Sequence, residues 1–588
     1  MCLSVLPRMT LENGRPHRIR TAAESPDVAK RNRAGFKRGW FKLNYLQFRR
    51  GNLTIIRMNE KALAIRAVAH IRKSGVDDIF RPPLFHGSIE ARLLGDEIDY
   101  RREVVNAVTR FLRDKKVRNL SIPLKLNIPK NKFAFRAASW IELTDTAKYL
   151  ALVMKIAPDI ERARRPEGEK SVFSYRSRPH GMLFGSNLNY DAFRRQSGIM
   201  SELPEYSVKV ITDISNFYDR INIHRIEAIL ASAGCDLATV SKINDVLLSW
   251  AGRNSYGVPV GCDGSRLLAE ASLINVDNEL HRRGIKFVRY VDDFRLFAPG
   301  YLEANTSLNI LIEALDREGL FLNVAKTKMI NIEKGHAEEN PEGTEEEFAP
   351  IDPNEAVSEI RRVHSRYSSR LVRTYRYPGK EQITRYMKTD IKAIKNRIAT
   401  ELDVADDEIR EFIKAFIYQS RREVVDLVDV LKRHVHYLPY VVDAIIKEKN
   451  RFSQKEREEI RVFFDDFLDG GKCAEYYMLA AFRLSSEPGF GVLEVCRRFL
   501  ARIPLTTSPI VMREMVLRMA ELGDRDALVA LKSVYWNVGT VVRRAIFFCW
   551  KASEKILLAE KNAFFRTLNK SESDPLIVRE SGKAFSKK

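Results

Sequence analysis

Apolar positions along the chain fall into two regimes. From about Ile79 to Thr327, short β-like runs alternate with longer runs at helical spacing, which predicts a mixed α/β unit. From about Ala356 onward the β-like runs nearly vanish and helical spacing takes over, which predicts an all-helical last third. Between them, Glu333 to Pro353 carries Glu338, Glu339, Glu342, Glu345, Glu346 and Glu347; it is too acidic to pack into a core and reads as a linker. Within the helical part, Val511, Met515, Val516 and Met519 make one helical face, Gly523 and Asp524 break it, Ala527 to Trp536 make a second, and Val541 to Ile546 open a third. Antiparallel helices joined by such short turns must stack to bury their faces, as in a HEAT-type solenoid, with an irregular helical bundle as the alternative.

Composition adds a partner class. The 588 residues are 45% hydrophobic and 30% charged, an ordinary balance that excludes a fibrous or wholly disordered chain. Lys and Arg exceed Asp and Glu by 22, an excess that points to nucleic acid, with an anionic membrane surface as the plainer alternative. The first 50 residues hold twelve basic and three acidic side chains, and parts of this stretch read as flexible until they meet a partner. No apolar run reaches the roughly 18 residues of a membrane span, and the N-terminus lacks the apolar stretch of a signal peptide, so a cytoplasmic location is expected. The six scattered cysteines form no zinc-type spacing and read as reduced thiols.

Candidate chemistry begins at Lys286 to Ala298, where two apolar runs flank Asp292-Asp293, the pattern of a hairpin with two carboxylates at its tip. Alone, the pair is weak. A partner lies upstream, where the apolar run Val208 to Thr212 leads into Asp213, placing a third carboxylate at a strand end. If that strand lies beside the hairpin, Asp213 and Asp292 could share divalent metals, and hard oxygen ligands favour magnesium. Between them, Tyr256 to Glu270 is a Gly/Pro loop entering an apolar helix that is expected to continue to about Leu280; after the hairpin, Gly319 to Lys328 presents a lysine beside a short strand.

These four elements, in order, resemble motifs A to D of the reverse transcriptase palm: Asp213 with Tyr218 five residues later, Gly257 to Gly261 leading to Ser265-Arg266-Leu267-Leu268-Ala269-Glu270, Tyr290-Val291-Asp292-Asp293, and Leu320 to Thr327. Upstream, Phe135 to Asp145 and Val172 to Pro179 resemble its finger motifs. The resemblance implies an α+β right-hand polymerase, fingers and palm at 76–335, after a basic extension (1–75) and before an acidic linker (336–356) and an all-α HEAT-like domain (357–588). It implies two magnesium ions, or manganese, on Asp213, Ile214, Asp292 and Asp293, and nucleotide contacts from Arg136, Tyr218, Gly261 and Ser265. Tyr218 matches the steric gate that selects deoxynucleotides, and Lys326 is the candidate acid for departing pyrophosphate.

Departures narrow the group. Val260 stands where many reverse transcriptases carry a glutamine, which puts template handling in doubt, and the motif pairs of retron enzymes and a Cys/His endonuclease segment are missing. Instead of a thumb, Arg361 to Arg397 carries a net charge of +10 with Tyr367, Tyr375, Tyr377 and Tyr386 interleaved. Arg362, Arg366, Arg370 and Arg373 share one helical face that could track phosphates while the tyrosines stack on bases. The whole resembles the AbiK-like abortive-infection and defence-associated reverse transcriptases, some of which make DNA without a template and from a protein hydroxyl, for which Tyr45 is the candidate here. Expected partners are deoxynucleotide triphosphates, the DNA product, RNA and a second copy of the chain, with no membrane. The alternatives are an RNA-templated enzyme with a companion noncoding RNA, and an inactive nucleic-acid-binding scaffold.

Overall fold

The computed structural model describes residues 58–333 and 375–586, apart from residues 81, 131, 186–187, 253, 376, 401–403, 471–473, 492 and 503–506. The chain enters through α1 (Glu60–Ser74), α2 (Ile89–Asp96) and α3 (Ile98–Arg113), then the hairpin β1 (Leu124–Pro129) and β2 (Phe135–Trp140). Asn59 caps α1 by accepting from the Ala62 N–H, and Leu63, Ala67, Val68 and Ile71 form its buried stripe. The central element is α4 (Leu143–Ala163), packed on α1, α3, α8 (Leu237–Trp250) and α9 (Asp263–Ser272). A helix enclosed by four others is apolar nearly all round, and Leu150, Ala151, Leu152, Val153, Met154 and Ile156 are accordingly buried in succession.

The sheet is antiparallel, in the order β4-β5-β3-β6, with β3 Val208–Asp213, β4 Lys286–Tyr290, β5 Asp293–Ala298 and β6 Lys328–Asn331. Val208, Val210, Phe294 and Leu296 bury its inner face, while α11 (Tyr301–Arg317) packs against β3 and β5 and α5 (Tyr190–Glu202) against β4 and β5. Around it lie the single turn α6 (Phe217–Arg220), α7 (Ile223–Ser232) and α10 (Ile274–Arg282). The single helix expected to reach Leu280 is divided: α9 stops at Ser272, Leu273 takes ψ near 0°, and α10 starts at Ile274.

Among the described residues after 375 the structure is helical. Lys380–Lys388, Asp406–Tyr418, Leu438–Lys447, Glu475–Ser485, Pro509–Glu521 and Thr540–Ala552 pack each on the next in one row. Ile391–Thr400, Val424–Arg433, Gln454–Gly470 and Leu493–Arg502 form a second row in the same way. The break expected at Gly523-Asp524 is present, with Gly523 at φ 66° and Asp524 accepting from the Ala527 N–H.

This helical part is fastened to the entry helices and the β1–β2 hairpin. Glu475–Ser485 and Pro509–Glu521 pack on β1, and the Phe135 and Tyr477 rings lie 6.3 Å apart. His86 pairs with Glu514 at 2.6 Å and Glu521 at 3.1 Å, and Arg544 reaches Glu90 at 3.1 Å and Glu142 at 3.2 Å.

Candidate active site

β3 ends on Asp213, and its register with β5 sets Asp213 directly opposite Asp293. Opposed residues of an antiparallel ladder have Cα atoms about 4.5–5.5 Å apart. Asp292 occupies the β4–β5 turn, where its carbonyl accepts from the Ile214 N–H at 3.2 Å. Backbone pairing therefore makes neighbours of the strand end and the hairpin tip. Asp213 and Asp292 are buried, Asp293 is half-buried, and Ile214 is buried and bridged to Leu322.

The other flank of Asp213 is closed by the segment after α11. The Asn323 N–H donates to the Asp213 carbonyl at 2.7 Å, and its side-chain amide lies 3.5 Å from Asp213 Oδ2. Lys326 Nζ is 3.2 Å from the same oxygen; with its side chain 43% exposed, the pair is solvent-screened and worth under about 1 kcal/mol.

Tyr218 follows on α6 and is buried, its hydroxyl held in the neutral form by burial and, secondarily, by neighbours that include Asp292. The glycine loop is zipped onto this turn: Val258 N donates to the Tyr218 carbonyl at 3.0 Å and Gly257 N to Ile221 at 2.9 Å. Gly261, at φ 117°, accepts at its carbonyl from the Asp78 N–H, and a Cβ there would meet Ile79 at 3.1 Å, so only glycine suits the position. Ser265 lies behind this surface, fully buried, 3.2 Å from the Tyr149 hydroxyl and 3.1 Å from Cys262, whose thiol burial pushes up to about 11.

The β1–β2 hairpin brings cations to the same edge. Ile128 pairs with Arg136, and Lys130 Nζ lies 3.5 Å from the Asn216 side chain, two residues beyond Ile214. Burial, then Arg136, lowers the Lys130 pKa, while Asp219, Asp292 and Asp213 oppose the shift, so its ammonium lies within the field of both strand-end carboxylates. Composition gives no hint of Lys130; Pro129 and Asn131, which flank it after the alternating run Leu124 to Ile128, are the local signs of a turn.

A buried ionic cluster underlies the turn. Arg289 on β4 and Arg164 meet Glu270 on α9 at 3.1 and 2.8 Å, and Arg289 also binds Asp277 on α10 at 2.6 Å. Arg266 is buried between Asp78 and Asp263, the latter 2.6 Å from His70.

The structure thus brings together Asp213, Ile214, Asp292, Asp293 and Lys326, with Tyr218 and Gly261 alongside. Tyr45, Arg362, Arg366, Arg370, Arg373 and Tyr367 lie outside the described residues. Of the other interleaved tyrosines, Tyr377 is 64% exposed, but Tyr375 and Tyr386 are buried; the Tyr375 hydroxyl binds Glu448 and Tyr418, so these two rings serve the core and cannot stack on bases.

Hard carboxylate oxygens at one sheet edge suit magnesium, which commonly takes one or two carboxylates and completes its shell with substrate phosphates and water. Among the described residues no group of three or more His, Cys, Asp or Glu side chains is arranged to hold a metal ion by itself.

The family described as Reverse transcriptase (RNA-dependent DNA polymerase) matches residues 174–379, which span the sheet, the glycine loop and the hairpin. None of the curated proteins compared matches the chain. Among solved structures, telomerase from Candida tropicalis in complex with a fragment of telomeric RNA is 12% identical, covering 77% of this chain and 68% of that one, with a TM-score of 0.28. The apo telomerase of the same organism is also 12% identical, over 74% of this chain and 73% of that one, with a TM-score of 0.28.

Proposed function

We propose, from the premise that the chain carries a reverse transcriptase domain and is a nucleotidyltransferase, that it extends a 3′-hydroxyl with deoxynucleotides at the Asp213–Asp292 strand ends. The observation that carries this reading is the pairing of Asp213 with Asp293 and of Ile214 with Asp292. Domains of this family generally use divalent metals such as magnesium. Asp213, Asp292 and Asp293, with the Ile214 carbonyl, would hold two such ions, manganese serving in their place. When bound, they supply the charge stabilisation of phosphoryl transfer. The 3′-hydroxyl gives its proton to solvent as its oxygen bonds the α-phosphorus, and the bond from that phosphorus to the bridging β-phosphate oxygen breaks to release pyrophosphate. Lys130 and Arg136 would face the triphosphate, and Lys326 would give its proton to the departing pyrophosphate. Tyr218, pinned by Val258, would close the pocket against a 2′-hydroxyl, with Gly261 admitting the nucleotide and Ser265 bracing the wall behind it.

The finer reading is an antiphage defence enzyme with a HEAT-like domain at 357–588, acting as a homo-oligomer, its synthesis untemplated and started on a protein hydroxyl such as Tyr45. Support comes from the missing glutamine at Val260 and from two rows of helices stacked each on the next. The test is incorporation of labelled deoxynucleotides by the purified chain with magnesium, with and without added template, against Asp292→Ala. Loss of the carboxylate is expected to lower the rate by more than about a thousandfold with an unchanged circular dichroism spectrum. A variant that synthesises as much DNA as the parent ends the proposal.

A further inference from the structure

The turn that presents Asp292 is held in an unfavourable shape. Val291 sits at φ 56°, in the left-handed region that a β-branched residue rarely enters, and such a position persists only where its surroundings over-determine it. Both of its backbone polar groups are taken by side chains from elsewhere. Its N–H donates to Ser174 Oγ at 2.9 Å, and its carbonyl accepts from Arg289 Nη1 at 2.8 Å. Ser174 Oγ in turn donates to Glu270 Oε1 at 2.5 Å, so the hydroxyl has a fixed orientation, with its lone pair aimed at Val291.

The rest of the cluster holds these two groups still. Arg289 binds Asp277 through two nitrogens, at 2.8 and 2.6 Å, and touches Glu270 at 3.1 Å. Arg164 donates to Glu270 at 2.8 Å and to the Ser174 carbonyl at 2.7 Å. Two guanidinium groups and two carboxylates balance, and Ser174, Glu270, Asp277 and Arg289 are buried. The segment carrying Ser174 runs along β4, with Arg289 N donating to Ser171 and Phe173 N donating to the Arg289 carbonyl. A dry, neutral cluster with preset donors moves little, and that is what a metal-binding carboxylate needs from its support.

We infer that Ser174 is a positioning residue: with Arg289 and Glu270 it clamps Val291 in the left-handed conformation and so sets where the Asp292 carboxylate meets a divalent ion. The inference rests on the reading of Asp292 as a metal ligand. It assigns a catalytic consequence to a residue that touches neither nucleotide nor metal.

The experiment measures the magnesium dependence of deoxynucleotide incorporation for the full chain, for Ser174→Ala and for Asp292→Ala, with thermal midpoints alongside. Ser174→Ala is expected to raise the magnesium concentration at half-maximal rate by about fivefold and lower kcat by about thirtyfold, leaving KM for deoxynucleotide within about twofold. A purely structural loss would reduce the active fraction and scale kcat with no change in half-saturating magnesium; that outcome, or parental values throughout, overturns the clamp. If Ser174→Ala does not fold, Arg289→Lys, which keeps the charge and loses the fork that reaches Val291, is read by the same criterion. Full activity in Asp292→Ala would instead overturn the site reading itself, so the two failures are separable.

Discussion

His86 ties the region between α1 and α2 to the helix Pro509–Glu521, and its charge should make that tie pH-dependent. Its side chain is 15% exposed and meets Glu514 at 2.6 Å through Nδ1 and Glu521 at 3.1 Å through Nε2. Burial alone would lower its pKa, but the two carboxylates outweigh it and raise the value from 6.5 to about 9. Arg513 also binds Glu514, and Arg518 lies 3.3 Å from Glu521, so each carboxylate keeps a cation when His86 is neutral. A folded pKa above the unfolded one gives stability that is fully present below pH 6.5 and is lost as pH rises through 9. At 1.36 kcal/mol per unit, the contribution is roughly 2.5 kcal/mol at pH 7 and close to zero by pH 10.

The perturbation is His86→Gln, and the assay is limited proteolysis by an alkali-tolerant protease from pH 7 to pH 10, read as the ratio of variant to parent cleavage rates at each pH. That ratio cancels the protease's own pH profile and reports the opening equilibrium when reclosing outruns cleavage. It should be largest at pH 7 and fall by about 10- to 100-fold by pH 10. A ratio that stays flat across this window would refute the charged His86 bridge.

Two further outcomes follow from local geometry. Gly264→Ala would place a methyl 2.8 Å from the ring of Tyr149, which is fully buried edge-on to Trp250 and cannot retreat; a loss of about 1–3 kcal/mol is expected in denaturant unfolding, and an unchanged midpoint would show that the helix α9 shifts freely. Tyr218→Ala should raise ribonucleotide relative to deoxynucleotide incorporation by at least about tenfold, measured as the ratio of kcat/KM values; an unaltered ratio removes Tyr218 from sugar selection.

The candidate site was legible where local pattern and chemistry coincide. The apolar runs on either side of Asp292-Asp293 and before Asp213 are strands because alternating branched and aromatic residues suit a sheet covered on its inner face, and an aspartate at the end of each was visible at once. The support beneath was not. Arg289 interrupts an apolar run, and it is fully buried because Asp277 and Glu270, brought from two different helices, neutralise it. No local pattern pairs a charge with a partner from another element. The break at Leu273 was hidden as well: α9 and α10 read as one apolar helix, and the structure parts them at Leu273, whose ψ is near 0°. Tyr375 and Tyr386 looked like stacking platforms in a basic stretch, and tertiary packing claimed both.

The last helices set cations against carboxylates of the entry helices, the reverse of the His86 bridge to Glu514 and Glu521. Arg544 faces Glu90, Glu142 and Asp574; Arg579 faces Glu97 and Glu103; and Lys583 also pairs with Glu97. Most of these carboxylates lie on or beside α2 and α3, and all of the cations lie near the end of the chain. Of these, the Arg544 pairs with Glu90 and Asp574 are buried, and such pairs do little better than apolar packing of equal volume, because desolvation offsets their attraction. Their effect lies in the cost of mismatch, since a shifted register leaves charges buried without partners. The same helices that carry this charge pattern continue into those that pack on β1, and β1 leads directly into Lys130. Packed elements and paired charges thus link the neighbourhood of the β1–β2 hairpin to residues more than 400 positions away in sequence. In this architecture the C-terminal helices are part of what supports the β1–β2 hairpin that carries Lys130.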